Sequence, residues 1–454
     1  MLSRFHSQLL IITISLGVFA SVMSTSMLVI AFPDVVRDFG ISEATLQWRN
    51  LLFYSLFAVG LPFFGILADR FGARKQFLFG MVLFCLAAMM SGLVQNWTGW
   101  LFFQSLQAVA DSMIVAAQSP LIRASFPKEK LGWAFGWFAA VISTATLTGP
   151  ALGGLVIEYL HWSAIFWVLG AFGLLALMLA VAFLPKSSEQ PADGPQACDG
   201  QKVDAGQSAG AARRIPWLSL LSMFAFVLGG SVLLLGTVDA MGQWIVGLLT
   251  LLALLGLLWK ERRPGSSATL FPREMAKNGV FMTAAVRVFL LFLGVNAIGL
   301  YAPTYLRIDH GFPADTVGWI MLTQSLVALV AAGYAGKMAD RRPYVSLAAG
   351  IGVSVGSSWL FWFADVVFYI PYFYLIFFLI GLGNRLTMPA QNKIALLAVP
   401  PAETGSYMGV FQMIQFVTGA FAATLFAGMS FQMLVGIIIL CQLAALATVF
   451  MKKA

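Results

Sequence analysis

Residues 65–75 read Gly-Ile-Leu-Ala-Asp-Arg-Phe-Gly-Ala-Arg-Lys, and residues 336–342 read Gly-Lys-Met-Ala-Asp-Arg-Arg. A shift of 271 positions therefore places Asp69 on Asp340 and Arg70 on Arg341. This shift, or one of 273 positions, also aligns Ala31 with Ala302, Gly40 with Gly311, Thr45 with Thr316, Trp48 with Trp319, Gln118 with Gln391, and Gly136 with Gly409. The chain thus carries two copies of one long unit, and parallel six-helix repeats are a common way to build secondary transporters.

The composition indicates that lipid is the solvent of this unit. Of the 454 residues, 60% are hydrophobic and 10% are charged, whereas about a quarter of the residues in soluble domains are charged. A soluble fold of this size could not bury so much apolar surface. The spacing of Cys85, Cys198 and Cys441 fits neither a disulfide framework nor a metal site, so we expect no cofactor and no metal.

The sequence predicts an all-α membrane protein with 14 transmembrane helices, because a spanning helix needs about 20 apolar residues. Residues 1–184 form an N-terminal six-helix bundle (spans 1–6), and residues 280–454 form a C-terminal six-helix bundle (spans 9–14). Between them lie a disordered linker rich in Pro, Gly, Ser and Ala at 185–215, two inserted helices (spans 7–8) at 216–260, and a loop at 261–279. The candidate spans are 9–33, 47–68, 76–95, 98–122, 133–157, 163–184, 216–238, 242–259, 280–304, 317–338, 344–364, 367–391, 405–428 and 430–450.

The distribution of basic residues predicts the orientation. With a cytoplasmic N-terminus, the inner loops and tails hold 22 of the 27 Lys and Arg residues, whereas the outer side holds Arg37, Arg49 and Arg307. This asymmetry follows the positive-inside rule and requires an even number of spans. We therefore expect a multi-pass protein of the inner or plasma membrane with both termini, the linker and the 261–279 loop in the cytoplasm. The net charge of +8 then reflects topology and not nucleic-acid binding.

The loop after span 2 combines residue types that suit a moving contact. Gly65 permits close helix approach, Asp69 can accept hydrogen bonds from a neighbouring helix end, and Gly72 permits a tight turn. Arg70 and Arg74 hold the loop at the cytoplasmic face, which by itself would only set topology. The whole string closely resembles the G-x-L-A-D-R-x-G-R-K motif of the major facilitator superfamily, which implies a gating role for these residues.

Span 5 contains a cluster of small residues interrupted by a proline. Gly149, Gly153 and Gly154 allow close helix packing, and Pro150 removes a backbone hydrogen bond and bends the helix. A packing motif without a role in transport is one interpretation. The stretch also resembles the G-x-x-x-G-P-x-x-G-G motif of drug exporters, although Ala145 replaces its first glycine. Together with the span count and the linker, this makes the chain similar to the fourteen-span drug:proton antiporters.

Two departures from that family weaken the expectation of its usual proton coupling. Ser24 stands in span 1 where members of the family usually have an aspartate. Span 4 reads Gln104-Ser-Leu-Gln107-Ala where they have R-x-x-Q-G, so the arginine linked to proton coupling is absent. Coupling by the usual charged pair therefore cannot be transferred to this chain.

A polar stripe along span 4 predicts a different coupling site. Asp111 is the only acidic residue near the middle of any predicted span, where a charge costs about 2.5–3.5 kcal/mol. The stripe residues are separated by three, four and seven positions, which places them on one helix face: Gln104, Gln107, Asp111 and Gln118. We expect this face to line a cavity, although a purely structural contact with span 1, 2 or 5 is the alternative.

Three polar residues of the second half are further cavity candidates. Arg385 follows Asn384, the repeat counterpart of Asp111, and a contact between Arg385 and Asp111 would let the arginine control proton affinity. Arg287 and Asn296 lie inside span 9. For both arginines, the alternative is that the side chain extends to the inner headgroups.

These patterns favour transport over other classes of function. His6, His161 and His310 lie outside the middle of the membrane, and no paired carboxylates suggest an enzyme. A channel would not need the two-fold repeat, and a sensor on the same scaffold would show no flux. We expect a monomeric, proton-coupled exporter of hydrophobic or amphipathic compounds. The alternative is an exporter or flippase of an anionic or zwitterionic amphiphile, because the predicted spans contain two embedded arginines and only one embedded aspartate.

The predicted topology can be tested at Cys198, which lies in the linker. If the linker is cytoplasmic, an impermeant maleimide should label Cys198 only after cells are permeabilised. A Cys198→Ser variant measures background labelling of Cys85 and Cys441. Labelling of Cys198 in intact cells would contradict the orientation.

Overall fold

The fold is described from a computed structural model. The structure describes residues 2–184, 217–235, 240–262, 271, 273–364, 369–426 and 429–450. The predicted linker at 185–215 lies outside the described residues.

The described residues form fifteen α-helices, of which all but the short α9 have 19 to 38 residues. Short 3-10 turns precede α5 and α14, at Lys128–Lys130 and Pro401–Glu403. The α-helices are α1 (Leu2–Phe39), α2 (Glu43–Phe71), α3 (Ala73–Leu93), α4 (Trp97–Ser125), α5 (Leu131–Tyr159), α6 (Ala164–Phe183), α7 (Trp217–Leu235), α8 (Ala240–Arg262), α9 (Arg273–Lys277), α10 (Gly279–Ile308), α11 (Ala314–Arg341), α12 (Pro343–Trp362), α13 (Ile370–Leu397), α14 (Thr404–Leu425) and α15 (Phe431–Phe450).

The length and apolar composition of most of the described helices suit a membrane. Among the described residues, eleven helices are long and apolar enough to span a bilayer, and α7 contains a shorter apolar run at Trp217–Gly230. The chain is therefore a multi-pass, all-helical membrane protein. That fourteen helices cross the bilayer stays a prediction.

Helices related by the sequence repeat pack in related ways. Helix α2 packs along α14, and the repeat-related pair α5 and α11 does the same. Likewise α3 packs on α4 and α6, as α12 packs on α13 and α15. The repeat extends to the backbone, since Gly40 and Gly311 both adopt positive φ values of 61° and 68° where the first turn of each unit reverses the chain. Both positions suit glycine because a Cβ disfavours this conformation.

Helices α7 and α8 form a hairpin that packs on α2. The Trp217 ring lies 5.6 Å from that of Phe63, and a small apolar cluster joins the hairpin to α2 through Val59, Ile66, Leu220, Met223 and Leu257. The Ser219 hydroxyl donates a 2.6 Å hydrogen bond to Glu261, which ties the two hairpin helices together. The hairpin is therefore attached to the bundle through the first repeat unit.

Two contacts between the repeat units depend on glycine. A Cβ on Gly65 would overlap the carbonyl oxygen of Gly405, so α2 and α14 touch through their backbones. The repeat-related contact joins α5 to α11, where a Cβ on Gly336 would lie 2.9 Å from the Cα of Trp133. Real atoms cannot approach this closely, so a side chain at either position would push the helices apart.

Alanine substitution on α11 tests this close contact. We expect Gly336→Ala to lower the thermal midpoint of the purified protein, because its methyl group would meet the backbone of α5. Gly333→Ala is the matched control one turn away, since its Cβ would meet nothing within 4 Å. The control should hold or raise the midpoint, because alanine favours helix by about 1 kcal/mol over glycine. Equal midpoints for the two variants would show that the contact does not limit stability.

Candidate functional site

At one end of the bundle, a carboxylate of the first repeat unit binds the start of a helix of the second. We call this the basic end, because it carries Arg70, Lys128, Arg341 and neighbouring Lys and Arg residues. Asp69, at the end of α2, accepts hydrogen bonds from the backbone N–H groups of Gly405 (2.6 Å) and Ser406 (2.7 Å) and from the Ser406 hydroxyl (2.6 Å). The first N–H groups of a helix have no partner in the helix and favour negative charge, so this carboxylate suits the site.

The repeat-related carboxylate makes the equivalent contact. Asp340, at the end of α11, accepts hydrogen bonds from the N–H groups of Gly132 (2.6 Å) and Trp133 (2.8 Å) at the start of α5. Lys393 of α13 lies 2.9 Å from the same carboxylate and neutralises it. Two equivalent contacts between a carboxylate and a helix start therefore join the units at the basic end, and we call them the Asp69 lock and the Asp340 lock.

A basic side chain reinforces this closure. The Arg123 guanidinium, at the end of α4, donates to the carbonyl oxygens of Leu396 (2.9 Å) and Val399 (2.8 Å) and to the Thr404 hydroxyl (3.0 Å). These acceptors lie at the end of α13 and the start of α14, and the last carbonyl groups of a helix need donors from outside it. The basic end is thus closed by hydrogen bonds between the two units.

A cavity of about 200 Å³ lies between the units, among α5, α10, α11 and α13. Arg385 lies eight residues before Lys393, which is about 12 Å along α13 from the Asp340 lock. The cavity is lined by polar and apolar side chains together: Ser143, Thr146, Val295, Ile298, Gly299, Gln324, Ser325, Phe377, Ile380, Gly381, Asn384 and Arg385. Such a mixture can hold an amphipathic molecule.

Arg385 is the charged residue of this cavity lining. It is 9% exposed, and its Nη2 donates a hydrogen bond to the hydroxyl of Ser143 on α5, across the two units. Its Nε and Nη1 have no hydrogen-bond partner in the described part of the chain. The guanidinium therefore keeps unused donors inside the bundle.

The polar stripe of α4 is buried, but it does not line this cavity. Gln104, Gln107 and Asp111 are each 1% exposed, and Gln118 is 6% exposed. The Gln104 amide donates to the Ser91 hydroxyl (3.1 Å) on α3 and to Gln107 (3.0 Å). Near Gln104, the stripe therefore belongs to the interior of the first unit.

Sequence reasoning counted Arg49 among the residues of the outer side and did not predict its buried contacts. It is 2% exposed and lies inside α2, where its Nε and Nη2 donate to the Gln104 side-chain oxygen at 3.1 and 2.8 Å. Its guanidinium also lies over the Phe53 ring, 4.4 Å from the centroid. The span was predicted to begin at 47, whereas α2 begins at Glu43 after the N-cap Ser42, whose hydroxyl accepts from the Thr45 N–H at 3.1 Å. That Ser–Thr spacing is the capping pattern that would have placed Arg49 almost two turns inside the helix.

Asp111 lies in the middle of α4 without a direct partner. Neither of its carboxylate oxygens has a hydrogen bond among the described residues. The Ser21 hydroxyl of α1 and the Arg49 guanidinium of α2 interact electrostatically with this carboxyl group. The contact with Arg385 that the repeat suggested is not present, because Arg385 instead binds Ser143.

The remaining candidates are distributed over other contacts. Ser24 is buried, and its hydroxyl donates to the Ser21 carbonyl oxygen at 2.7 Å, within α1. The Asn296 amide donates to the Thr418 hydroxyl at 3.2 Å and joins α10 to α14 beside the cavity. Arg287 is buried against α15, where its Nε donates to Thr448 at 3.0 Å. Arg287 therefore neither extends to headgroups nor lines the cavity.

The glycine-rich stretch of α5 packs against α1. A Cβ on Gly149 would overlap the Ser26 hydroxyl oxygen, and one on Gly153 would lie 2.9 Å from the Met27 carbonyl oxygen, whereas Gly154 faces open space. The helix is continuous through position 150, and the side chain of Pro150 lies outside the described residues. The first two glycines thus allow close packing within the first unit.

The other residues of the loop after α2 have separate structural roles. Arg74 donates from its Nε to the Leu184 carbonyl oxygen at 3.0 Å, and so binds the end of α6. Gly72 adopts a φ of 93° between α2 and α3, which fits the predicted tight turn. Arg70 is exposed, and its guanidinium lies 5.1 Å from the Phe71 ring centroid. Asp69 alone of these side chains forms hydrogen bonds to the other unit within the described residues.

This architecture of paired units, with locks and a cavity between them, agrees with a comparison to protein families. The family model described as Major Facilitator Superfamily matches residues 14–423. The chain belongs to the Major Facilitator Superfamily. It is therefore a membrane transporter and not an enzyme, since its relatives are transporters as well.

The relatives of this chain are named for different compounds. Multidrug resistance protein 3 of Bacillus subtilis is 24% identical over 324 residues, which cover 71% of this chain and 60% of that protein. The riboflavin transporter RibZ of Clostridioides difficile is 25% identical over 92% of this chain and 88% of its own length. The tetracenomycin C resistance and export protein of Streptomyces glaucescens is 26% identical over 92% and 74% of the two chains. The chain thus spans less than two thirds of the length of Multidrug resistance protein 3.

Two solved structures share the fold. The human organic anion transporter MFSD10 matches with a TM-score of 0.68 at 12% identity, over 98% of this chain and 99% of that one. The proton:xylose symporter XylE matches with a TM-score of 0.65 at 14% identity, over 99% and 96% of the chains. At these identities the likeness supports the superfamily fold alone.

The position of Arg49 predicts a measurable effect on stability. We expect Arg49→Met to lower the free energy of unfolding by about 1–3 kcal/mol, because the buried oxygen of Gln104 would lose both of its donors. The measurement is unfolding in mixed micelles. Arg37→Gln is the control, because the Arg37 side chain is 75% exposed and its pair with Asp34 is a surface contact, worth about 0–1 kcal/mol. An equal loss for the two variants would contradict the buried role of Arg49.

Proposed function

We propose that this superfamily member is a monomeric secondary active exporter of hydrophobic or amphipathic small molecules that works by alternating access. In this proposal, residues 1–184 and 280–454 are the two moving bundles, fourteen helices cross the plasma membrane, and residues 216–260 insert beside the bundles. The basic end, both termini and the linker face the cytoplasm, which follows from the positive-inside rule. The chain then resembles the fourteen-span drug:proton antiporters.

The observation that carries this proposal is the closed basic end beside a cavity between the units. Asp69 and Asp340 bind helix starts in the opposite unit at 2.6 to 2.8 Å. Helix N-termini at the end of a bundle can exchange a carboxylate for water, so these contacts are able to open and close. We assign Gly65 and Asp69 to the gate, with Asp340 and Gly336 as their repeat-related partners.

The glycines of α5 support export in the same proposal. Gly149 and Gly153 let α5 pack directly against α1. In this proposal α5 moves together with α1, and Ser143 and the helix start that binds Asp340 move with them. This arrangement fits the antiporter motif that the stretch resembles.

Proton coupling is assigned to Asp111. It is the acidic residue in the middle of α4, it is 1% exposed, and its oxygens have no hydrogen-bond partner among the described residues. A carboxyl group in a low dielectric favours the neutral form, whereas a nearby cation favours the ionised form. Movement of Arg49 and Gln104 relative to Asp111 would therefore change proton affinity during the transport cycle. Arg49 takes the cationic role that the repeat suggested for Arg385.

A second candidate function is transport of an anionic or zwitterionic amphiphile. The observation that favours it is Arg385, a buried cation in the cavity with unused N–H donors in the described structure. It shares the transport mechanism with the first candidate and differs in the charge of the substrate.

Uphill transport in proteoliposomes tests both the mechanism and the coupling residue. With an imposed pH gradient, the parent protein should accumulate a transported amphipathic dye against its concentration gradient. Asp111→Asn fixes an uncharged side chain, so we expect it to lose uphill transport and to keep downhill exchange. Glu158→Gln is the control, because Glu158 is an exposed carboxylate at the end of α5.

Each outcome of that experiment has a defined meaning. Full uphill transport by Asp111→Asn would remove Asp111 from the coupling mechanism. A parent that exchanges substrate but ignores the pH gradient would be a facilitator or use another ion. A parent without flux for a broad panel of compounds would contradict transport as the function of this chain.

A further inference from the structure

We infer that Arg385 is a substrate-binding residue that holds the anionic group of an amphipathic organic anion, with the apolar part of that molecule in the cavity beside it. This inference rests on the proposed transport function and assigns the substrate class that the cavity recognises. It also places the charged group of the recognition site, Arg385, on the second repeat unit, in a cavity that the Asp111 stripe of α4 does not line.

The first argument is the charge balance of the cavity. A guanidinium remains protonated in proteins, so burial cannot neutralise it as it can a carboxyl group. Arg385 is 9% exposed, and Nε and Nη1 have no acceptor among the described residues. The described lining residues include no Asp or Glu that could serve as a counter-ion. A buried cation without a counter-ion is costly, and an anionic ligand would remove that cost.

The other buried cations of the bundle differ from Arg385 in this respect. Lys393 is paired with Asp340 at 2.9 Å. Arg49 donates two hydrogen bonds to the Gln104 side-chain oxygen and lies outside the cavity lining. Arg287 donates to Thr448 against α15 and does not line the cavity. Arg385 alone among these four combines a place in the cavity lining with unused donors.

The shape and walls of the cavity favour an organic anion over an inorganic one. Val295, Ile298, Phe377 and Ile380 line the same cavity as Arg385 and give it an apolar surface. The volume of about 200 Å³ exceeds what a halide ion needs. Burial of an apolar group on this surface would add binding free energy that a bare ion cannot gain. The site therefore fits a carboxylate or sulfonate attached to a compact apolar body.

The site also connects binding to the contact between the units. The Nη2 of Arg385 donates to Ser143, which belongs to α5 of the first unit. A carboxylate is a stronger acceptor than a hydroxyl, so a bound anion would compete with Ser143 for the guanidinium. Anion binding thereby acts on a hydrogen bond that joins α5 to α13, and α5 carries the helix start bound by Asp340.

A pairwise binding experiment tests the inference. Purified protein in nanodiscs is titrated with two matched pairs, naphthalene-2-carboxylate against naphthalene-2-carboxamide and naphthalene-2-sulfonate against naphthalene-2-sulfonamide, and binding is measured by thermal shift. The members of each pair differ in charge and share the apolar body. We expect the parent to bind the anion of at least one pair about tenfold more tightly than the amide. A hydrogen bond to a charged group is stronger than a neutral one, and the difference in free energy corresponds to a ratio of about ten in the dissociation constant.

Variants locate the preference. Arg385→Gln should remove the difference between anion and amide, because it removes the cation that the anion binds. The matched control is Arg287→Gln, a buried arginine outside the cavity, which should leave the difference intact. Arg385→Lys keeps the charge and should retain part of the preference, so it keeps the test valid if Arg385→Gln does not fold. Ser143→Ala frees Nη2 and should hold or strengthen anion binding.

The outcomes separate this inference from the proposed function. Equal binding of anion and amide in both pairs, or an unchanged preference in Arg385→Gln, would overturn the inference. If the parent protein showed no preference for the anion but still transported the cationic dye rhodamine 6G, the proposed transport function would stand and only the inference about Arg385 would fail. If chloride alone gave the same Arg385-dependent thermal shift and displaced the organic anions, the site would be an inorganic anion site and the substrate class would be wrong.

Discussion

Two carboxylates that bind the first N–H groups of helices in the opposite repeat unit join the two units at the basic end. Asp69 binds the first N–H groups of α14, and Asp340 binds those of α5. Each contact satisfies donors that a helix cannot satisfy internally, and each places negative charge at the positive end of a helix dipole. The glycines beside them, Gly65 and Gly336, let the backbones approach closely enough for these bonds to form.

The two units use buried charge differently away from this closed end. In the first unit, Arg49 joins a hydrogen-bond network through Gln104, and Asp111 lies farther along α4. In the second unit, Arg385 lines the cavity with one bond to Ser143. Unpaired charge costs free energy in a membrane. Asp111 can lower that cost by taking up a proton, whereas Arg385 cannot lose one and needs an anion or a polar neighbour. Ion coupling and substrate recognition would then occupy separate sites on moving parts.

The class of the protein follows from its amino acids alone. Its apolar composition required a membrane fold, and only helices and closed barrels satisfy backbone groups in lipid. The long apolar runs then favoured helices. The repeat of Asp69 at Asp340 is visible in the sequence, and in the structure both carboxylates bind helix starts in the opposite unit.

The partners of the buried polar residues, in contrast, depend on how the helices pack. Spacing along one helix places Gln104, Gln107 and Asp111 on a shared face, but it does not say which neighbouring helix that face meets. The buried contact of Arg49 with Gln104 was therefore missed. Arg385 was matched to Asp111 by depth alone, although it binds Ser143. Depth in the membrane is set by position along a single helix, whereas contact depends on the rotation and packing of two helices, which local sequence does not encode.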